Sequence, residues 1–262
     1  MNRSLQLIIA LALVSTGLYM YQNSKKPAAP LGTTVRLGIS ADNPPFTFVK
    51  NGEFVGFELD LAQALASELK YNLDVLDLDF SGLIAAVKND VIDLSISGFN
   101  ITEERKKNIA FSQPYYYSNI AVIGHKAYSS ADEFPTAKIG LQHGSLFEAT
   151  GKNLQEKFPG ITILGFHRIN QAVQELEDKT IDLILIDAAV AKQIIATHPA
   201  LIVSSLAIHD ESNGLGAIFK KESPLVEKFN TAIAAIKVNG TLDKLIEKWF
   251  SSAEPLTPTD KE

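Results

Sequence analysis

The sequence predicts an α/β protein made of two lobes of similar design, and three observations lead there. Short apolar runs alternate with helical patterns along the chain, its 262 residues suffice for one to two domains, and one strand-opening segment occurs twice. The expected strands are Val35 to Ile39, Leu73 to Leu76, Leu94 to Ile96, Ile120 to Ile123, Ile139 to Leu141, Ile161 to Leu164 and Leu183 to Ile186. Between the first two, Phe57, Leu61, Leu65 and Leu69 lie four apart, so they share one helical face that must pack on a sheet. The repeated segment is Asp90-Val91-Ile92-Asp93-Leu94 against Lys179-Thr180-Ile181-Asp182-Leu183, about 90 residues on. Each comes after a helical pattern and opens a buried strand, which argues for two sheets.

Composition narrows the function classes. The charge is −6, and the 24 basic residues form no long run, so the electrostatic footprint of a nucleic-acid binder is missing. Cysteine is absent, which removes disulfide scaffolds, thiolate metal sites and thiol nucleophiles together. The five histidines, His125, His143, His167, His198 and His209, show no metal-ligand spacing, and neither a G-x-S-x-G elbow nor a phosphate loop occurs. No metal, cofactor or catalytic residue is expected.

The N-terminus reads as an export signal. Arg3 precedes a nearly unbroken apolar run from Leu5 to Tyr21, Ser15-Thr16-Gly17 offers small residues for cleavage, and Lys25 and Lys26 come after it. At 17 residues the run also reaches the lower limit of a spanning helix, so an uncleaved membrane anchor is the alternative. Residues 1–30 are therefore assigned to a signal peptide or anchor with its Pro/Ala/Gly linker, and the folded part is expected to start near Thr33. At the other end two amphipathic helices close the fold. Leu225, Val226, Phe229, Ala232, Ile233 and Ile236 line the first, and after Gly240 the face resumes with Leu242, Leu245, Ile246, Trp249 and Phe250. Residues 251–262 are polar, contain two prolines and carry too little apolar surface to fold alone.

Ligands of open α/β sheets bind outside the carboxyl ends of strands, which directs attention to the residues just after each one. After the first strand, Asp42-Asn43-Pro44-Pro45-Phe46 forms a stiff turn suited either to a pocket wall or to an ordinary connection. After Ile96 come Ser97-Gly98-Phe99-Asn100, and then Thr102-Glu103-Glu104-Arg105, a capped short helix. Arginine occurs only four times, and Arg105 stands eight residues beyond Ser97, where a guanidinium is able to clamp a carboxylate with two parallel hydrogen bonds. Gln142-His143-Gly144-Ser145-Leu146 joins a strand to a helix whose N-terminus offers backbone N–H groups to an anion. Asp187 ends the buried run Leu183 to Ile186, and a carboxylate there needs a partner. It either caps the helix from Ala188 to Thr197 or receives a cationic group of a ligand.

Taken together these elements resemble the bacterial extracellular solute-binding proteins of family 3, the amino-acid receptors of ABC importers. Four blocks carry the likeness: Gly38 to Phe46 with its Pro-Pro-Phe, Gly56 to Leu69 (GFELDLAQALASEL), Ile92 to Ser112 (IDLSISGFNITEERKKNIAFS) and Thr180 to Asp187. The resemblance implies the two-lobed periplasmic-binding-protein fold of type II, each lobe a mixed sheet flanked by helices, with the ligand in the cleft between them. It implies lobe one at 31–118 and 213–250, lobe two at 119–212, and crossing segments near Tyr117 to Ala121 and Ala207 to Asn213. It gives Arg105 the ligand α-carboxylate, helped by Ser97, Gly98 and the backbone at Ser145 and Leu146. Asp187 takes the α-ammonium, Phe80 covers the ligand side chain, Asn100 lies near the α-amino group, and Asp42, Asn43 and Phe46 complete the wall.

Departures from the family pattern leave side-chain specificity open. Asn43 stands where many members have tyrosine, Ser40 where basic-amino-acid binders carry an acid, and Leu146 where threonine is common. The implied function is capture of a polar amino acid outside the cytoplasm and delivery to a membrane permease. A cyclohexadienyl or arogenate dehydratase of the same fold is the enzyme alternative, with Glu148 or His143 as its general acid. A ligand-sensing domain feeding a membrane partner is the third reading.

Overall fold

A computed structural model describes residues 32–204 and 214–251. The N-terminal apolar segment, the second expected crossing at Ala207 to Asn213 and the tail beyond Ser251 lie outside the described residues. The described residues from Thr34 onward form one compact unit.

The first sheet has five strands: β1 (Thr34–Ile39), β5 (Asn72–Asp77), β6 (Leu94–Ser95), β7 (Ala110–Phe111) and β13 (Ile218–Phe219). Their order is β5-β1-β6-β13-β7. β1 runs parallel to both β5 and β6, with Thr34 opposite Asn72 and Leu37 opposite Leu94. β13 then pairs antiparallel with β6 and β7. Three of the helices are those the sequence pattern predicts. In α1 (Phe57–Leu69) the four-residue spacing buries Phe57, Leu61 and Leu65 completely. α7 (Leu225–Val238) buries Phe229, Ala232, Ile233 and Ile236, and α8 (Thr241–Phe250) starts after Gly240, whose φ of 74° stops the helix before it.

The second sheet is built from β8 (Ile120–Gly124), β9 (Lys138–Gln142), β10 (Thr162–Phe166), β11 (Leu183–Asp187) and β12 (Ile202–Ser204). Their order is β10-β9-β11-β8-β12. β9, β10 and β11 are parallel, while β8 lies antiparallel to β11 and β12 antiparallel to β8. Helices α4 (Leu146–Lys157), α5 (Ile169–Glu177) and α6 (Ala188–Thr197) connect them. Each lobe thus holds a mixed sheet flanked by helices, as the resemblance implies, and the alternation of strands and helices makes the chain α/β.

Two pieces of the first lobe are absent from the sequence reading. Asp42–Asn43 (β2), Thr47–Lys50 (β3) and Glu53–Val55 (β4) form a small antiparallel meander where a plain loop is expected. Strands of two to four residues interrupted by prolines carry no readable alternation, and the same holds for two-residue β7 and β13. The meander docks on α1 through Gly56. A Cβ there would come within 2.1 Å of the Phe46 carbonyl oxygen, and φ is 134°, so only glycine fits this entry to the helix.

Candidate functional site

The carboxyl ends of the parallel strands of both sheets converge on one narrow cavity. It is lined by Ser40 and Asp42 after β1, Phe80 after β5, Ser97, Gly98 and Asn100 after β6, Gln142 at the end of β9 and Ser145 beyond it, and Asp187 at the end of β11, with Asn43, Phe46, Phe147 and Leu215 completing the wall. Its open volume is small, about 30 Å3. A wider hollow of about 670 Å3 lies between α5 and α6 of lobe two, near His167, Ile194 and His198, and reaches Asp42 and Pro44 of lobe one. The smaller cavity is the one where the parallel strand ends of both sheets meet.

On the lobe-one wall, α2 (Phe80–Lys88) begins with Phe80, whose ring stacks on Phe99 at 4.5 Å between centroids. The short helix α3 (Glu103–Lys106) is capped by Thr102, which accepts from Arg105 N. Lys106 and Lys107 pair with Glu103 and Glu104 on the solvent side, while Arg105 turns inward. Its guanidinium carbon sits 5.4 Å from the Phe99 ring centroid and 6.0 Å from that of Phe80. Nη1 donates to the Asn100 carbonyl at 2.9 Å, and Nη2 crosses the cleft to the Gly144 carbonyl at 2.8 Å. Burial draws its pKa down to about 10, so the charge is kept in a poorly hydrated place at neutral pH. Arg105 stands one layer behind the lining, against Phe80 and Asn100.

Gly98 lines the cavity, and its N–H donates to Glu58 Oε1 at 2.6 Å. The carboxylate of Glu58, itself fully buried in α1, also accepts from the hydroxyls of Tyr115 and Thr47. Burial raises its pKa to about 7, and the Asp187 charge adds to the rise. Ser97 faces inward too, its Oγ accepting from Ser40 N at 2.9 Å. Phe46 lines the cavity from an aromatic cluster with Phe57, Tyr116 and Phe250.

On the lobe-two wall, Ser145 caps α4, accepting from Glu148 N and donating to the Gln142 carbonyl. Leu146 does not reach the cavity; Phe147, the next residue, does. Asp187 does what the cap reading requires, with Oδ1 accepting from Ala189 N at 2.8 Å, and it lines the cavity as well. The two expectations for Asp187 are compatible because a carboxylate has four acceptor positions. Glu148 bonds Gly144 N and Lys152, and His143 faces His167 at 5.3 Å between ring centroids; neither lines the cavity.

Asp42 also has a different environment from the one expected of a ligand residue. Its Oδ1 accepts from Ser40 Oγ, and its Oδ2 accepts from Gln142 Nε2 and from Ile169 N in lobe two. Gln142 falls in the candidate strand-to-helix segment but is not singled out there, Phe147 lies one residue beyond it, and Glu58 reads as one more helical residue. Ser40 at the end of β1 has a signal, its position directly after the first strand.

With the geometry in place, comparison with known proteins is decisive. Residues 35–252 match the model of the bacterial extracellular solute-binding proteins, family 3. The chain belongs to this family. It is 36% identical over 220 residues to the arginine-binding extracellular protein ArtP of Bacillus subtilis, covering 82% of this chain and 85% of that one. Among solved structures it is similar to an ancestral arginine-binding protein bound to arginine, with TM-score 0.78 and 35% identity over 83% of this chain and 98% of the other. An ancestral arginine-binding protein bound to glutamine matches at TM-score 0.78 and 34% identity, covering 85% of this chain and 100% of the other. The fold is that of type II periplasmic binding proteins, as the sequence blocks imply.

Proposed function

We propose that this family member captures a polar amino acid in the cleft and delivers it to the permease of an ABC importer. The observation that carries the reading is the pairing of opposite chemistry across one cavity: Arg105 behind the wall of lobe one and Asp187 on the wall of lobe two. Burying a zwitterion is favourable only when both charges are met, and here each lobe brings one partner. The Arg105 bond to the Gly144 carbonyl spans the cleft, so opening the lobes releases that edge of the guanidinium to an entering α-carboxylate. The α-ammonium then meets Asp187, and Phe80 covers the side chain.

The cavity favours an uncharged side chain. The carboxylates lining it are Asp42 and Asp187; the first accepts from three groups of the protein itself, and the second is taken by the α-ammonium. The other polar side chains lining it, Ser40, Asn43, Ser97, Asn100, Gln142 and Ser145, are neutral and suit an amide or hydroxyl. Relatives named for arginine share the fold, while this chain places neutral donors and acceptors in the cleft. The dehydratase reading needs a general acid toward the cavity, and Glu148 and His143 both point elsewhere. Residues 1–30 serve as the export signal or as an anchor holding the receptor at the outer face of the membrane.

A thermal-shift screen against the twenty amino acids, prephenate and arogenate tests the reading, because a ligand of the native state raises the melting temperature. The expected result is a rise with glutamine and asparagine that exceeds the rise with arginine and lysine. Absence of a shift with every amino acid contradicts the receptor reading, and a shift confined to prephenate or arogenate supports the enzyme instead.

A further inference from the structure

Beside the ligand cavity, toward the outer strands of the two sheets, a second set of contacts joins the lobes. β5 and β10 are corresponding edge strands, and the residues just after each meet across the cleft mouth. Arg168 Nε donates to Asp79 Oδ1 at 2.9 Å, Nη1 to Asp77 Oδ1 at 3.2 Å and Nη2 to Asp77 Oδ2 at 3.4 Å. Asp79 is the N-cap residue of α2, yet its side chain makes no cap bond and turns instead to the other lobe. Next to it, the first amide of α5 is satisfied from lobe one: Ile169 N donates to Asp42 Oδ2 at 2.8 Å. α5 has no acidic residue in its own first turn, so the negative group that suits a helix N-terminus comes from the opposite lobe.

We propose that Arg168 with Asp77 and Asp79, and Asp42 with the N-terminus of α5, form a closure latch that sets affinity by holding the two lobes together. The proposal rests on the reading of the cleft as a site closed by its two lobes. Each element is left incomplete when the lobes part: the first amide of α5 loses its Asp42 acceptor, with the Gln171 bond to Arg168 N remaining at that helix start, and Arg168 loses its two carboxylates. The contacts therefore favour the closed arrangement whatever occupies the cavity, and a ligand needs less of its own binding energy to hold the lobes together. Arg168 and Asp42 are in this sense positioning residues. Because side chains of the Arg168 cluster are partly exposed, the ion pairs weaken with salt.

The experiment uses the intact protein and the variants Arg168→Gln, Asp79→Asn and Asp42→Asn, with Arg36→Gln as control. Arg36 pairs with Asp93 inside lobe one and crosses no cleft. Two readouts are taken: the radius of gyration of the ligand-free protein by small-angle X-ray scattering, and the dissociation constant of L-glutamine by calorimetry. Arg168→Gln and Asp42→Asn are expected to enlarge the radius and to weaken glutamine about 10-fold, with Asp79→Asn in the same direction and smaller. Arg36→Gln lowers the melting temperature and leaves both readouts in place. The latch is overturned if the folded Arg168 and Asp42 variants keep the wild-type radius. An unaltered radius with weakened glutamine also overturns it, since that places the residues in ligand contact. Should the wild type bind no amino acid, the receptor reading falls, and the radius still decides the latch.

Discussion

The two repeated segments, Asp90 to Leu94 and Lys179 to Leu183, build the same structure twice and then diverge. Asp90 and Lys179 both adopt positive φ, 58° and 57°, as the chain leaves a helix. Asp93 N donates to the Arg36 carbonyl and Asp182 N to that of Lys138, each at 2.9 Å. Their carboxylates accept in turn from Arg36 N at 2.8 Å and Lys138 N at 2.7 Å, tying each new strand to the start of its neighbour. Beyond the strands the likeness ends. β11 runs straight into α6, capped by Asp187 from the adjacent position, whereas β6 opens into the loop Ser97 to Asn100, held from beneath by Glu58 of α1. Acids at the strand starts are scaffold, and acids that fix the strand ends, Asp187 and Glu58, shape the site.

The biggest change is expected at Glu58. Its folded pKa, about 7, lies above the ordinary 4.5, so the folded state binds the proton more tightly than the unfolded one. Stability therefore falls as pH rises from about 4.5 to about 7, by roughly 3 kcal/mol. Glu58→Gln should flatten that slope, read by urea unfolding at the two pH values; an unchanged slope means the carboxyl is not the group that titrates. Next in size, Arg105→Ala should weaken amino-acid binding by more than about 2 kcal/mol, because a buried carboxylate loses its partner. An unaltered dissociation constant removes Arg105 from the site.

Asp187→Asn separates the two roles of that acid, since asparagine caps a helix as well as aspartate does but offers no charge to an ammonium. Affinity should drop about 10-fold, near 1.4 kcal/mol, with stability within ~0.5 kcal/mol of wild type. Loss of stability with affinity kept identifies Asp187 as a cap alone. The smallest effects belong to the scaffold acids. Asp93→Asn should cost about 1 kcal/mol of stability through the Arg36 contacts, Asp182→Asn less, and neither should move the affinity.

Much of this architecture is legible in the sequence because burial and period speak locally. Apolar runs such as Leu183 to Ile186 and the four-residue spacing of Phe57 to Leu69 state their structure in a few adjacent residues. The ligand wall is partly legible for the same reason, since strand ends such as Ser97 and Asp187 are located once the strands are. What escapes depends on partners far along the chain. Asp42 reads as a pocket acid until Ile169, 127 residues later, is seen to donate to it. Arg168 and Asp79, 89 residues apart, give no mutual signal at all. The short strands β2, β7 and β13 escape because two residues show no period.

On the proposed reading the cleft holds an amino acid by both of its α-charges, one met from each lobe. Calorimetric titration with L-glutamine, its α-amide and its N-acetyl derivative tests this most directly. The free amino acid should bind, and each blocked form should lose at least about 2 kcal/mol, since each leaves Arg105 or Asp187 with an unmatched charge. Equal affinity for glutamine and either derivative would contradict capture by paired α-charges.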